Sequence, residues 1–185
     1  MLETRDGSKA NDSDIRRGSA AQFDNAWLAH RPRIQRLVTR LADNPDAVDD
    51  LVQEVGIRAF EGYGRFRNES AAYTWLYRIA VNTVLRWRQK RCLKLVPLDS
   101  SEVAAAESRG AGPEQRALQS SLRPAVWAAL ERLPEEQRTT LILQLYEGLP
   151  YREIAEVLNV PIGTVKSRIN AAMRRMKEEL KEYAM

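Results

Sequence analysis

The chain has 185 residues, room for one medium domain or two small ones. A single cysteine, Cys92, and a single histidine, His30, exclude an intramolecular disulfide and a structural zinc site, and no apolar run is long enough to cross a bilayer. With 29 basic against 25 acidic side chains the net charge is only +4, so the placement of charge carries more information than its total.

Residues 1–21 are polar and charged and lack the apolar core of a signal sequence, so a disordered arm is expected there. The expectation for the whole is a cytoplasmic protein with no metal, no cofactor and no direct membrane insertion. Phe23, Trp27, Ile34, Leu37, Val38 and Leu41 then recur at helical spacing. Asp43-Asn44-Pro45-Asp46 reads as a stop and restart, with proline at the first position of the next helix. Val48, Leu51, Val52, Val55, Ala59 and Phe60 mark a second amphipathic helix, which Gly62-Tyr63-Gly64 ends. A loop follows over residues 65–70, with Ser70 as a candidate N-cap. A third helix runs to about Arg91, and Ala72, Trp75, Leu76, Ile79, Thr83 and Trp87 are expected to form its inner face.

Residues 22–95 thus read as one three-helix domain. Periodicity then fails over residues 96–116, where Pro97, Gly110, Gly112 and Pro113 punctuate small and acidic residues, the composition of a flexible linker. Helical spacing returns at Leu118, Leu122, Val126, Leu130 and Leu133. Pro134-Glu135-Glu136 opens the next helix with acids in its first turn, and Gly148 stops it. Two more helices are expected, near residues 151–158 and 162–182. The fold class is therefore all-α: two small helical domains, 22–95 and 117–185, joined by a linker.

Charge separates along the chain. Between Arg65 and Lys94 there are eight bases and one acid, Glu69. In the third helix Arg78, Asn82 and Arg86 share one face, and Tyr73, Trp75 and Tyr77 surround it. Aromatic rings offer stacking to unpaired bases while cations hold the backbone. The loop before it, Phe66-Arg67-Asn68-Glu69-Ser70, has polar groups suited to a base turned out of the stack. Near the C-terminus, residues 149–169 read as a helix-turn-helix. Asn159 suits the left-handed turn, and Ile154, Leu158, Val165 and Ile169 are spaced to form the core beneath it. Lys166, Ser167, Asn170 and Arg174 then point outward, with Arg168 and Arg175 placed for phosphates. Asp50, Gln53, Glu54 and Arg58 occupy adjacent turns of the second helix, as either a solvated face or a docking surface for a protein partner.

These segments resemble a known family. Asp50-Leu51-Val52-Gln53-Glu54, Phe66 to Ser70 and Tyr73-Thr74-Trp75-Leu76-Tyr77-Arg78-Ile79-Ala80-Val81-Asn82 are similar to sigma region two. Leu133-Pro134-Glu135, Tyr151-Arg152-Glu153-Ile154-Ala155 and Gly163-Thr164-Val165-Lys166-Ser167-Arg168 are similar to sigma region four. Both together, with no domain between them, resemble the extracytoplasmic-function sigma factors of bacteria. The resemblance implies that Asp50, Gln53, Glu54 and Arg58 dock on the clamp helices of core RNA polymerase, whose flap is a further contact of the chain. It implies that Phe66, Arg67, Asn68, Glu69 and Ser70 pocket a flipped base of the minus-ten element. Tyr73, Trp75, Tyr77, Arg78, Asn82 and Arg86 would hold the opened strand. Arg152, Thr164, Lys166, Ser167, Arg168, Asn170 and Arg174 would read the minus-thirty-five element of duplex promoter DNA. It also implies control by an anti-sigma factor. The chain departs from the pattern at Asn68, where glycine is usual, at Ala171 and Met173, where arginines are common, and at Pro150, where a capping serine is common.

Two other classes are open to the residues. A stand-alone helix-turn-helix regulator would leave the aromatic-basic helix unexplained. An enzyme acting on nucleic acid would need carboxylates or histidines gathered at one site, whereas the acids here fall on helix faces and His30 is alone. Cys92, at the end of the third helix, reads as an ordinary thiol rather than a redox switch.

Overall fold

The computed structural model describes the backbone of residues 8–64, 72–94 and 123–183, and the side chains within those spans from residue 22 onward except 92–94 and 182. The structure divides into two compact units, with the boundary between Val96 and Pro97. Among the described residues every element is helical. The first unit holds α1 (Ser8–Ala42), α2 (Val48–Tyr63) and α3 (Ala72–Lys94); the second holds α4 (residues 123–131), α5 (Glu135–Leu145), α6 (Tyr151–Leu158) and α7 (Ile162–Glu179). The loop 65–70 with its Ser70 cap, residues 1–7 and the linker 96–116 lie outside the described residues.

Of the segment expected as an arm, residues 8–21 lie in the first turns of α1, which begins at Ser8. Once the packed half of a helix is formed, each added residue costs little, and no proline interrupts residues 8–31. Pro32 does lie inside α1. It has no N–H to give the carbonyl four residues back, at Leu28, which stands at the surface with its side chain 66% exposed.

Ile34, Leu37, Val38 and Leu41 of α1 meet Leu51, Val52, Val55 and Ala59 of α2 and Leu76, Tyr77, Ala80, Val81 and Val84 of α3, all buried. Two glycines of α2 let aromatic rings come close. A Cβ on Gly56 would stand 3.0 Å from the Trp27 ring, and one on Gly62 would stand 3.2 Å from the Trp75 ring. Phe60, placed inside by its periodicity, is instead 55% exposed, with one edge against Phe23.

The junction of α1 and α2 is built from polar contacts. Asp43 takes the left-handed conformation (φ 56°) that ends α1. Asn44 caps a single 3-10 turn, Pro45–Ala47, its side chain accepting from the Asp46 N–H. Arg88 reaches across from α3, donating to the Leu41 carbonyl at 3.1 Å and pairing with the Asp43 carboxylate at 2.7 Å.

In the second unit α5 is buried over six successive residues, Arg138 to Leu143. A helix buried on all sides is the post on which the others pack. Ala129, Leu130 and Leu133 join Leu141, Ala172 and Met176 in one cluster. Past α5, Gly148 turns the chain at φ +67°. The α6–α7 turn uses Asn159 at φ 53°, ψ 49°, and both helices start behind extended prolines, Pro150 and Pro161.

Nothing lies within 4 Å of a Cβ added at Gly148, so the cost of Gly148→Ala is purely conformational. That substitution is expected to lower stability by about 1 kcal/mol, read as a lower urea midpoint at unchanged slope. Asp43 gives a pH-dependent test. Burial holds its carboxyl above the ordinary range, against the opposing pull of Arg88 and Arg91. The protonated form is therefore favoured by folding. Its contribution is complete below the ordinary aspartate pKa and is lost as pH rises through the raised value. Asp43→Asn, neutral throughout and tolerant of left-handed geometry, should flatten that limb of the urea-midpoint profile.

Candidate nucleic-acid interface

The outward face of each helix follows from the face it buries. In α3 the inner face is centred on Tyr77, Ala80, Val81 and Val84, not on the line from Ala72 through Ile79 to Trp87 that the sequence suggested. Of that expected line only Leu76 and Thr83 are buried. The sequence here is apolar almost all round, so hydrophobicity alone did not fix the azimuth. The true rotation turns Trp75, Arg78 and Ile79 to half-exposed positions and Asn82 and Arg86 to exposed ones. Five of the six residues expected to hold an opened strand are thereby sorted: Trp75, Arg78, Asn82 and Arg86 lie along one outward stripe, and Tyr77 does not.

Tyr77 is corrected from a DNA contact to a core residue. Its side chain is 2% exposed and its ring meets that of Tyr73 edge-on at 6.2 Å. Tyr73 is half-buried at the start of α3, 6.4 Å between ring centres from His30. Burial, and the positive charge of Arg33, hold the His30 imidazole below its usual pKa, so neutral His30 lines this end of α3. Trp75 is tilted against Tyr63 while leaning on Gly62. The basic run is also sorted. Arg88 is committed to the end of α1, and the Arg91 guanidinium sits over the Trp87 ring at 5.4 Å. Phe66, Arg67, Asn68, Glu69 and Ser70 lie outside the described residues.

On α2, Asp50 and Gln53 are exposed, while Glu54 and Arg58 pair with each other, Nη2 to Oε1 at 2.6 Å and Nε to the same oxygen at 2.9 Å. The stripe continues into two exposed apolar side chains, Ile57 at 60%, which the spacing had not marked as a site residue, and Phe60 at 55%, which the periodicity had placed inside. The signal was present in the spacing, since Ile57 follows Asp50 and Gln53 at seven and four residues.

In the helix-turn-helix, Ile154, Val157, Val165 and Ile169 form the floor, with Val157 in place of the expected Leu158, which is half-buried. Lys166, Ser167, Asn170 and Arg174 are exposed on α7. The Ser167 hydroxyl donates to the Thr164 carbonyl at 2.9 Å, and Thr164 itself is half-buried at the start of the helix. Arg152 stands on α6 with its side chain 88% exposed. Arg168 is the exception. Only 19% of its side chain is exposed, and it pairs with Glu136 of α5 at 2.6 Å. It therefore faces the interior flank and not the open face where a phosphate contact was expected.

These assignments separate in stability. Tyr77→Ala is expected to cost about 3–5 kcal/mol, whereas Asn82→Ala on the outward stripe should change stability by no more than about 0.5 kcal/mol. Urea denaturation of the two variants checks both.

Among the described residues no three histidine, cysteine, aspartate or glutamate side chains gather as metal ligands, and no helix is long and apolar enough to cross a membrane. Residues 27–92 match the family described as Sigma-70 region 2, and residues 123–176 match Sigma-70, region 4. The RNA polymerase sigma-H factor of Pseudomonas aeruginosa is 35% identical over 175 residues, 90% of either chain. The ECF RNA polymerase sigma-E factor of Escherichia coli is 38% identical over 162 residues, 84% of either chain. Among solved structures, the sigma factor RpoE of Bartonella quintana, in complex with the anti-sigma factor NepR, superposes with a TM-score of 0.71 at 27% identity, over 86% of this chain and 97% of that one. CnrH, in complex with the cytosolic domain of CnrY, shares the fold with a TM-score of 0.65 at 19% identity, over 96% of this chain and 99% of that one. With both sigma regions in order, each on its own helical unit, the chain belongs to the sigma-70 family of RNA polymerase sigma factors, in its extracytoplasmic-function branch.

Proposed function

We propose that this sigma factor works in the bacterial cytoplasm through three outward faces. The exposed stripe of α2, Asp50 and Gln53 continued by Ile57 and Phe60, docks on the clamp helices of core RNA polymerase. Polar ends give such a face its register, and apolar ends give it buried area. Glu54 and Arg58, joined to each other, stiffen its middle and present one oxygen and one guanidinium edge to the partner.

The α3 stripe of Trp75, Arg78, Asn82 and Arg86 holds the opened non-template strand of the minus-ten element. The indole offers a stacking surface, the guanidiniums attract phosphate, and Asn82 offers paired donor and acceptor groups to a base edge. Phe66 to Ser70 are assigned the flipped base on the strength of the family resemblance. On α7, Lys166, Ser167, Asn170 and Arg174 enter the major groove of the minus-thirty-five element, with Arg152 of α6 on the flanking backbone. The second unit also meets the flap of the polymerase. As the Bartonella relative is seen with an anti-sigma factor, we assign this chain the same kind of inhibitor.

The observation that carries this reading is the azimuth of α3, which turns a tryptophan, two arginines and an asparagine outward along one line. A duplex-reading regulator has no use for that line. Reconstituted transcription on a pool of promoter fragments, with bacterial core RNA polymerase, tests it: discrete new start sites are expected only when the chain is added. Paired alanines at Asp50 and Gln53 should lower output at least about tenfold and weaken polymerase binding. Paired alanines at Asn82 and Arg86 should lower open-complex formation by a similar factor with polymerase binding intact. Duplex protection by the chain alone, with no start sites, would refute the reading.

A further inference from the structure

Arg168 lies one residue from Ser167, hence about 100° around α7 from the exposed line of Ser167, Asn170 and Arg174. That rotation carries it toward α5, where its Nη2 meets Glu136 Oε2 at 2.6 Å. The two ends of this pair are unequally placed. The arginine side chain is 19% exposed and the glutamate 72%. Glu136 stands in the first turn of α5, where the helix dipole favours an acid, and its own carbonyl accepts from the Thr140 hydroxyl at 2.6 Å. The backbone of the anchor therefore belongs to the first turn of the buried post of the second unit, and its carboxylate reaches from there to the arginine. The arginine is the arm by which α7 is held to it.

We propose that Arg168 is a positioning residue that acts through Glu136 to fix the rotation of the recognition helix, and not a contact to promoter phosphate. The proposal rests on the reading of α7 as the element that enters the major groove. It separates two arginines that sit in one basic helix: Arg174 faces the DNA, and Arg168 sets the angle at which it does so. A small rotation matters because α7 presents only a few side chains to base edges, and each must arrive at hydrogen-bond distance.

The two roles predict opposite signs for a change at Glu136. If Arg168 touched phosphate, Glu136 would compete for it and add repulsion, so Glu136→Gln would leave DNA binding unchanged or tighten it. If Arg168 acts through Glu136, the same substitution weakens binding. The experiment uses the full chain loaded on bacterial core RNA polymerase and a labelled duplex enriched from a random pool by that holoenzyme. Binding is measured over a range of salt concentration. Glu136→Gln and Arg168→Gln should each weaken binding about threefold to fivefold, and the double variant should be no weaker than either. Arg168→Gln should leave the salt slope unchanged, while Arg174→Gln, on the exposed line, should reduce it by about one. Binding by Glu136→Gln as tight as or tighter than wild type overturns the proposal, and so does a fall in slope of about one for Arg168→Gln. Failure of the wild-type holoenzyme to enrich any duplex refutes the groove-reading assignment itself, a result distinct from either.

Discussion

A helix of eight residues does not hold in water by itself. Helix α6 exists because Ile154 and Val157 are buried against its neighbours, and the same constraint governs the longer helices of both units. Each is held by one buried face, and a rigid helix that has fixed one face has fixed the opposite one. The azimuth of the apolar stripe is therefore what decides which polar residues meet a partner. In α7 the burial of Val165, Ile169, Ala172 and Met176 leaves Ser167, Asn170 and Arg174 no direction but outward. In α3 the burial of Tyr77, Val81 and Val84 does the same for Asn82 and Arg86.

The same dependence explains what could be read from the sequence. Clean amphipathic periodicity gave α1, α2 and α7 their inner faces, and the special residues at Asp43–Pro45, Gly148 and Asn159 marked the turns, because each has a conformational reason visible in the residue type. In α3 the sequence from Tyr73 to Leu85 is apolar around most of the helix, so two stripes compete and only the neighbouring helices choose between them. Tyr77 was drawn outward and Ile79 inward by that ambiguity. Phe60 shows the reverse error: a large apolar residue at inner spacing, displaced to the surface because Phe23 and Tyr63 already fill the space beside it.

Charge was the least legible property. In sequence, Arg78, Arg86, Arg88 and Arg168 all belong to basic segments, and nothing in the spacing marks Arg88 or Arg168 as held by a carboxylate. In the structure they divide between two kinds of work. Arg88 spans from α3 to the carbonyl of Leu41 and the carboxylate of Asp43, closing the end of the first unit, and Arg168 ties α7 to α5. Arg78 and Arg86 stay on the outward stripe. The effective charge a nucleic acid meets is thus smaller than the count of bases suggests, and more narrowly directed.

Pro32 has a consequence for how the long α1 behaves as a cooperative unit. The hydrogen-bond ladder of a helix transmits order because each rung shares a residue with the next. A proline removes one rung and crowds the carbonyl four residues back, so the ladder of α1 is weakest at that turn. The half that follows Pro32 carries Ile34, Leu37, Val38 and Leu41 and belongs to the core. The half that precedes it is fastened by Phe23 and Trp27 against α2. The long helix is accordingly tied to the bundle at two separate places, and the turn at Pro32 between them is where its own backbone bonding contributes least.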